Sequence, residues 1–166
     1  MTPLEAKQLR ILIAQDVLAQ LEAQEIVALP ATFLSFKMKE VEESHKVNRE
    51  ELKKNTCQVC AKGSIFVAWV KRFNEFEASF WDVGKFYDIE KCGYRYPKSL
   101  LDAFPTEMLD NMESAFECRS DSWHQNAVIS RSYIGMFSGP ANERLKLIMQ
   151  HIIANDGEFP LKGKDE

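Results

Sequence analysis

Cys57 and Cys60 form a Cys-x-x-Cys pair, the spacing at which two thiolates supply half of a tetrahedral zinc site. Cys92 and Cys118 are the thiols that remain to complete it. Structural zinc sites are usually built from two tight pairs, and here the second pair is widely split, with no histidine at ligand spacing. Redox use of the dithiol calls for an apolar strand before it, whereas Glu50 to Thr56 is polar. The favoured reading is plain buried thiols and no cofactor, with a zinc-stabilised module as the third functional class. Among the histidines, His124 alone has neighbours suited to acid–base work, in a Ser-rich stretch with Asp121 and, further on, Arg131. No metalloprotease, nucleophile-elbow, phosphate-loop or dinucleotide signature accompanies them. An enzyme or small-ligand binder using the 119–139 loop is therefore the alternative reading, and a non-catalytic protein is preferred.

Two further sets suit a protein partner. Glu107, Asp110, Glu113 and Glu117 recur at three- and four-residue steps, and no basic residue interrupts them before Arg119. The spacing predicts an acidic stripe opposite the apolar face of a helix, either solvated or facing a basic partner. Half of the aromatics fall between Phe73 and Phe104, with Phe80 and Trp81 as candidate interface anchors. A mild anion site is conceivable at Ser138 to Asn142, where a helix begins.

These residues need elements to hold them. Thr2-Pro3-Leu4-Glu5 is a helix start of the capping-box kind. Leu9, Leu12, Ile13, Val17, Leu18 and Leu21 then mark an amphipathic stripe running to about Ala23. Ile26 to Phe36, interrupted by Pro30, predicts two short strands or an extended edge. Lys37 to Lys54 is mixed charge, expected as solvated helix or loop. Asn55-Thr56 offers a cap for a helix over Cys57 to about Phe76, apolar nearly all round and so buried. Gly63 within it implies close passage of another element, since glycine weakens a helix interior without such a reason. Pro105 opens a helix carrying Met108, Leu109, Met112, Ala115 and Phe116. Pro140 opens a last one with Leu145, Ile148, Met149, Ile152 and Ile153 inward. Gly157 is placed as its left-handed cap. The expected class is mainly α, a single compact domain over 1–166. It has about four to five helices around a buried central helix, a small β component near 26–36, and a flexible tail at 157–166.

Composition agrees. Of 166 residues, 45% are hydrophobic and 28% charged, the balance of a globular chain. With 21 basic and 25 acidic residues the net charge is −4, which argues against nucleic acid as the main partner. The longest apolar run, Ile65 to Val70, is far too short to cross a membrane. Ile11 to Ala14 is too short for a signal-peptide core, so a cytoplasmic protein with reduced thiols is expected.

The segments Asp16 to Leu21, Val59-Cys60-Ala61-Lys62-Gly63 and Ile148 to Gly157 resemble a family of small proteins from phages, prophages and their bacterial hosts. Its members share a mid-chain Cys-Ala-x-Gly helix and a last helix ending near Asn-x-Gly. The resemblance implies a mainly α domain in a mobile-element setting and carries no activity with it. By analogy the expected role is an accessory protein that binds a partner protein, such as a host or defence protein that it inhibits. The candidate binding residues are Glu107, Asp110, Glu113, Glu117, Phe80 and Trp81, and self-association is open.

Overall fold

The computed structural model describes residues 1–36, 46–75, 78–79, 96–117 and 135–159. Helix α1 (Pro3–Glu22) starts as its sequence requires. Thr2 Oγ1 accepts from the Glu5 N–H at 3.2 Å, and the Thr2 N–H donates to Glu5 Oε2 at 2.7 Å, with Pro3 in the first turn. Its inward face is Ala6, Ile13, Ala14, Val17 and Gln20. The expected stripe divides here: Ile13 and Val17 enter the core, Leu9, Leu18 and Leu21 pack at its margin, and Leu12 turns outward.

Two short strands follow as expected, β1 (Ile26–Ala28) and β2 (Leu34–Phe36). The strand between them in space is β4 (Cys57–Val59), parallel to β1 and antiparallel to β2, with Ala28 and Leu34 both opposite Val59. This corrects the helix expected to start at Cys57. Cys57 and Val59 alternate inward around half-buried Gln58, which suits a strand with neighbours on both sides. The helix α3 (Ala61–Phe73) begins after them, capped by Cys60 and not by Asn55-Thr56; Asn55 instead ends α2 (Arg49–Lys54). That short helix, with Leu52 buried, lies in the stretch expected to be solvated. A second ladder pairs β3 (Lys46–Val47) antiparallel with β5 (Ala78–Ser79).

α3 is the buried centre, with Ala61 and every residue from Gly63 to Val70 inside. A Cβ on Gly63 would lie 1.6 Å from the Phe33 carbonyl oxygen, so the predicted close passage is the turn leading into β2. Arg49 closes the C-terminal end, its guanidinium donating to the Lys71 and Arg72 carbonyls at 2.7 and 2.6 Å. Arg72 grips Asp16 of α1 through two bonds of 2.6 and 2.9 Å.

Three helices complete the shell: α4 (Lys98–Ala103), α5 (Thr106–Glu117) and α6 (Ala141–Ala154). α6 lies along α1 and touches α5, while α1 and α5 both pack on α3. The chain is thus a compact, mainly helical domain with a small sheet. The end of α6 differs from expectation in detail. Asp156 and Gly157 both adopt positive φ, and the Gly157 N–H donates back to the Ile152 carbonyl at 2.9 Å. Gly157 is buried against the Lys7 backbone, and Phe159 is buried with Phe137 and His151. The packed chain therefore reaches residue 159, past the start expected for a tail; residues 160–166 lie outside the described residues. No helix among the described residues is long and apolar enough to cross a membrane.

Candidate functional site

Among the described residues, Cys60, Lys62, Asp110 and Glu113 meet where the N-terminus of α3 faces α5. Cys60 caps α3: its Sγ accepts from the Gly63 N–H at 3.5 Å, and its own N–H donates to the Thr32 carbonyl at 2.6 Å. The Lys62 N–H, one of the free donors of the first turn, meets Glu113 Oε2 at 3.1 Å. Lys62 Nζ lies 2.5 Å from Asp110 Oδ1, and both side chains are largely buried. One turn on, Glu117 Oε1 accepts from the N–H of Ala31, a residue held at φ +56°.

This arrangement corrects the exposed acidic stripe. Asp110 and Glu113 are buried, Glu107 and Glu117 half-buried, and the positive surface that Asp110 and Glu113 meet belongs to the same chain: one ammonium and one helix N-terminus. A carboxylate on such a terminus is an ordinary helix-dipole pairing, here between two helices. Asp110 and Glu113 are thus not displayed to a partner.

Burial pushes the Glu113 carboxyl up to about 7, and the nearby Glu117 charge adds to the rise. The Lys62 N–H, the Cys60 thiol and the Lys62 charge oppose it. Burial likewise raises the Cys60 thiol well above its usual range, with Glu113 acting in the same direction. Cys57, buried in β4, is pushed up to about 12 by burial, with Lys71 opposing. Thiols held protonated inside the core are poor nucleophiles and poor ligands. No group of three or more metal-binding side chains is assembled among the described residues, while Cys92 and Cys118 lie outside them. His124, Asp121, Arg131, Phe80 and Trp81 also lie outside the described residues.

At the start of α6 one side chain of the segment suggested for an anion, Asn142, is used internally. Asn142 Oδ1 accepts from the Ala28 N–H at 2.7 Å, joining α6 to β1. Arg144 donates to the Phe116 and Gly139 carbonyls at 2.8 and 2.6 Å, with its guanidinium 5.3 Å from the Phe116 ring centre.

The surface that sequence reasoning missed is the outward side of α1. Leu4 is 65% exposed, Met1 56% and Leu12 40%. Beside them Met1, Glu5, Gln8, Leu9 and Leu12 line an open hollow of about 420 Å³. A signal existed: Leu4 and Leu12 widen the apolar arc of α1 beyond what one core contact uses, and wide arcs usually mean contact on two sides.

Comparisons with protein-family models, with curated proteins and with solved structures found no match to this chain.

Proposed function

We propose that this chain is a non-catalytic accessory protein that acts by binding another protein through the outward side of α1. One observation carries the reading: Leu4 and Leu12 stand exposed along α1, with Met1 just before it, beside a hollow that no described part of the chain fills. The spacing of the residues lining that hollow supports a helical partner. Glu5, Gln8, Leu9 and Leu12 stand at i, i+3, i+4 and i+7, the four positions that enclose one side chain of a facing helix in knobs-into-holes packing. The partner surface is accordingly an α-helix presenting an apolar knob. The buried titratable cluster supports the same reading, because its groups are spent on joining α3 to α5. In the mobile-element setting implied by the resemblance of three segments, the partner is a host protein.

The test is capture of proteins by the immobilised chain, comparing wild type with Leu4→Lys/Leu12→Lys and with Met136→Lys, an exposed apolar residue elsewhere. A protein bound in stoichiometric amount by wild type and Met136→Lys, and lost with the α1 double variant, is the expected result. Equal binding by all three would remove α1 from the interface.

A further inference from the structure

The turn between β1 and β2 is strained and is tied down at two points. Ala31 sits at φ +56°, a left-handed conformation that its Cβ disfavours, so its surroundings must hold it there. Glu117 Oε1, at the end of α5, accepts from the Ala31 N–H at 2.7 Å. The Thr32 carbonyl accepts from the N–H of Cys60, the cap of α3, at 2.6 Å. Glu113 lies between these anchors, one turn before Glu117 on α5 and bonded to the Lys62 N–H in the first turn of α3. We propose that Glu113 is a proton-operated latch: while its carboxyl is protonated the 29–33 turn is clamped on α3 and α5, and ionisation releases the turn.

The groups around Glu113 decide which form the clamped state prefers. From α3 it faces the Cys60 thiol and the Lys62 ammonium, and that ammonium lies 2.5 Å from Asp110 Oδ1. Its own helix contributes the Asp110 and Glu117 carboxylates. From α6, also packed on α5, comes Arg144, engaged with the Phe116 and Gly139 carbonyls. The turn itself brings no titratable side chain. Asp110 already matches the Lys62 charge, so ionising Glu113 adds an unbalanced negative charge to a buried seam. Burial is the main reason that its carboxyl is pushed up to about 7.

Ionisation acts on the turn through Glu117. Carboxylates four residues apart on one helix repel, and Glu117, half-buried at the last position of α5, is the one able to swing toward solvent. Its departure takes the acceptor from the Ala31 N–H, and Ala31 relaxes to the negative φ open to any residue. Ionisation of Glu117 itself has the opposite effect, because a charged acceptor holds the N–H more strongly. The sign of the linkage follows. The clamped state binds the proton more tightly than the open one, in which Glu113 is solvated with its ordinary value of 4.5. Opening is least favoured below about pH 4.5, grows about tenfold per unit up to about pH 7, and levels off above it.

Solvent exchange of backbone amides in the full chain, divided by the intrinsic rate at each pH, reads the latch directly. From about pH 5 to about pH 8 the wild-type Ala31 and Cys60 amides are expected to lose at least about tenfold in protection. Val67, in the middle of α3, should stay at least about tenfold better protected than either at every pH, because it exchanges only when the domain unfolds. Glu113→Gln keeps the size of the side chain and cannot ionise, so its Ala31 protection should not vary with pH. Glu117→Gln keeps an acceptor for Ala31 and removes the repelling charge, so its loss should be smaller than that of wild type. Circular dichroism checks that each variant is folded, and Glu117→Gln decides alone where Glu113→Gln is not. Wild-type protection that is constant with pH overturns the proposal. So does a loss that survives in Glu113→Gln or is undiminished in Glu117→Gln, and so does equal protection of Ala31 and Val67, which would mean unfolding of the whole domain.

Discussion

At Glu113 the cost of burial outweighs the three groups that favour its ionised form, so the folded chain holds a proton that the unfolded chain releases. The sign of the linkage follows. With a folded value of about 7 against an ordinary 4.5, the stability this group contributes is full below about pH 4.5 and is lost as pH rises through about 7. Glu113→Gln keeps the size of the side chain and cannot ionise. Between about pH 5 and pH 8, urea unfolding should show wild type losing up to about 3 kcal/mol more than the variant. Parallel pH profiles would mean that the carboxyl is solvated in solution. Gly63 tests packing at the same place. Alanine normally strengthens a helix interior by about 0.5–1 kcal/mol relative to glycine. Here its methyl would collide with the Phe33 carbonyl, and Gly63→Ala is expected to destabilise by about 2–4 kcal/mol, seen as a lower Tm. An unchanged or higher Tm would show that the turn at Phe33 does not lie against α3.

Between elements, the joint of α3 with α5 is electrostatic as well as apolar. Met108, Leu109, Met112, Ala115 and Phe116 supply the buried apolar surface of α5, and Asp110 with Glu113 supplies the polar seam. Lys62→Met removes the ammonium 2.5 Å from Asp110 and should cost about 3–5 kcal/mol, the range for breaking a buried pair from one side. Lys54→Met removes an exposed partner of Glu51 and should stay within about 0.5 kcal/mol. Similar losses in denaturant unfolding for the two variants would show that the seam is as solvated as the surface. The contrast explains what was legible in the sequence. The start of α1, the paired strands in 26–36 and the inward face of α6 are local patterns of capping, β-branching and helical period. The destination of the acidic residues of α5 is not local. Asp110 and Glu113 read as a solvated stripe because their counter-charge, Lys62 and the turn it begins, lies far away in the chain. Cys57 to Val59 was misread for a related reason: three inward-alternating residues before a buried helix become a strand only when β1 and β2 flank them.

For the molecule as far as it is described, the side chains that invite a chemical reading around the start of α3 are consumed in assembly, and exposed apolar surface lies on α1, whose cap and period account for its fold. Cys60 caps a helix, Glu113 and Lys62 join two helices, Arg144 and Asn142 dock α6, and Leu4, near the start of α1, is the most exposed of the large apolar side chains described. The outward set was hidden because Leu4 and Leu12 merge with the inward residues into one broad apolar arc, and only the placement of α6 and α3 shows which part is covered. The claim that α1 is the binding surface is tested most directly by backbone amide ¹H–¹⁵N spectra of the chain with and without the protein it captures. Amides of Leu4, Gln8, Leu12, Gln15 and Ala19 should shift together on addition of that protein, while those of Lys62, Gly63 and Glu113 stay fixed. Unchanged spectra, or shifts centred on another face, would contradict it.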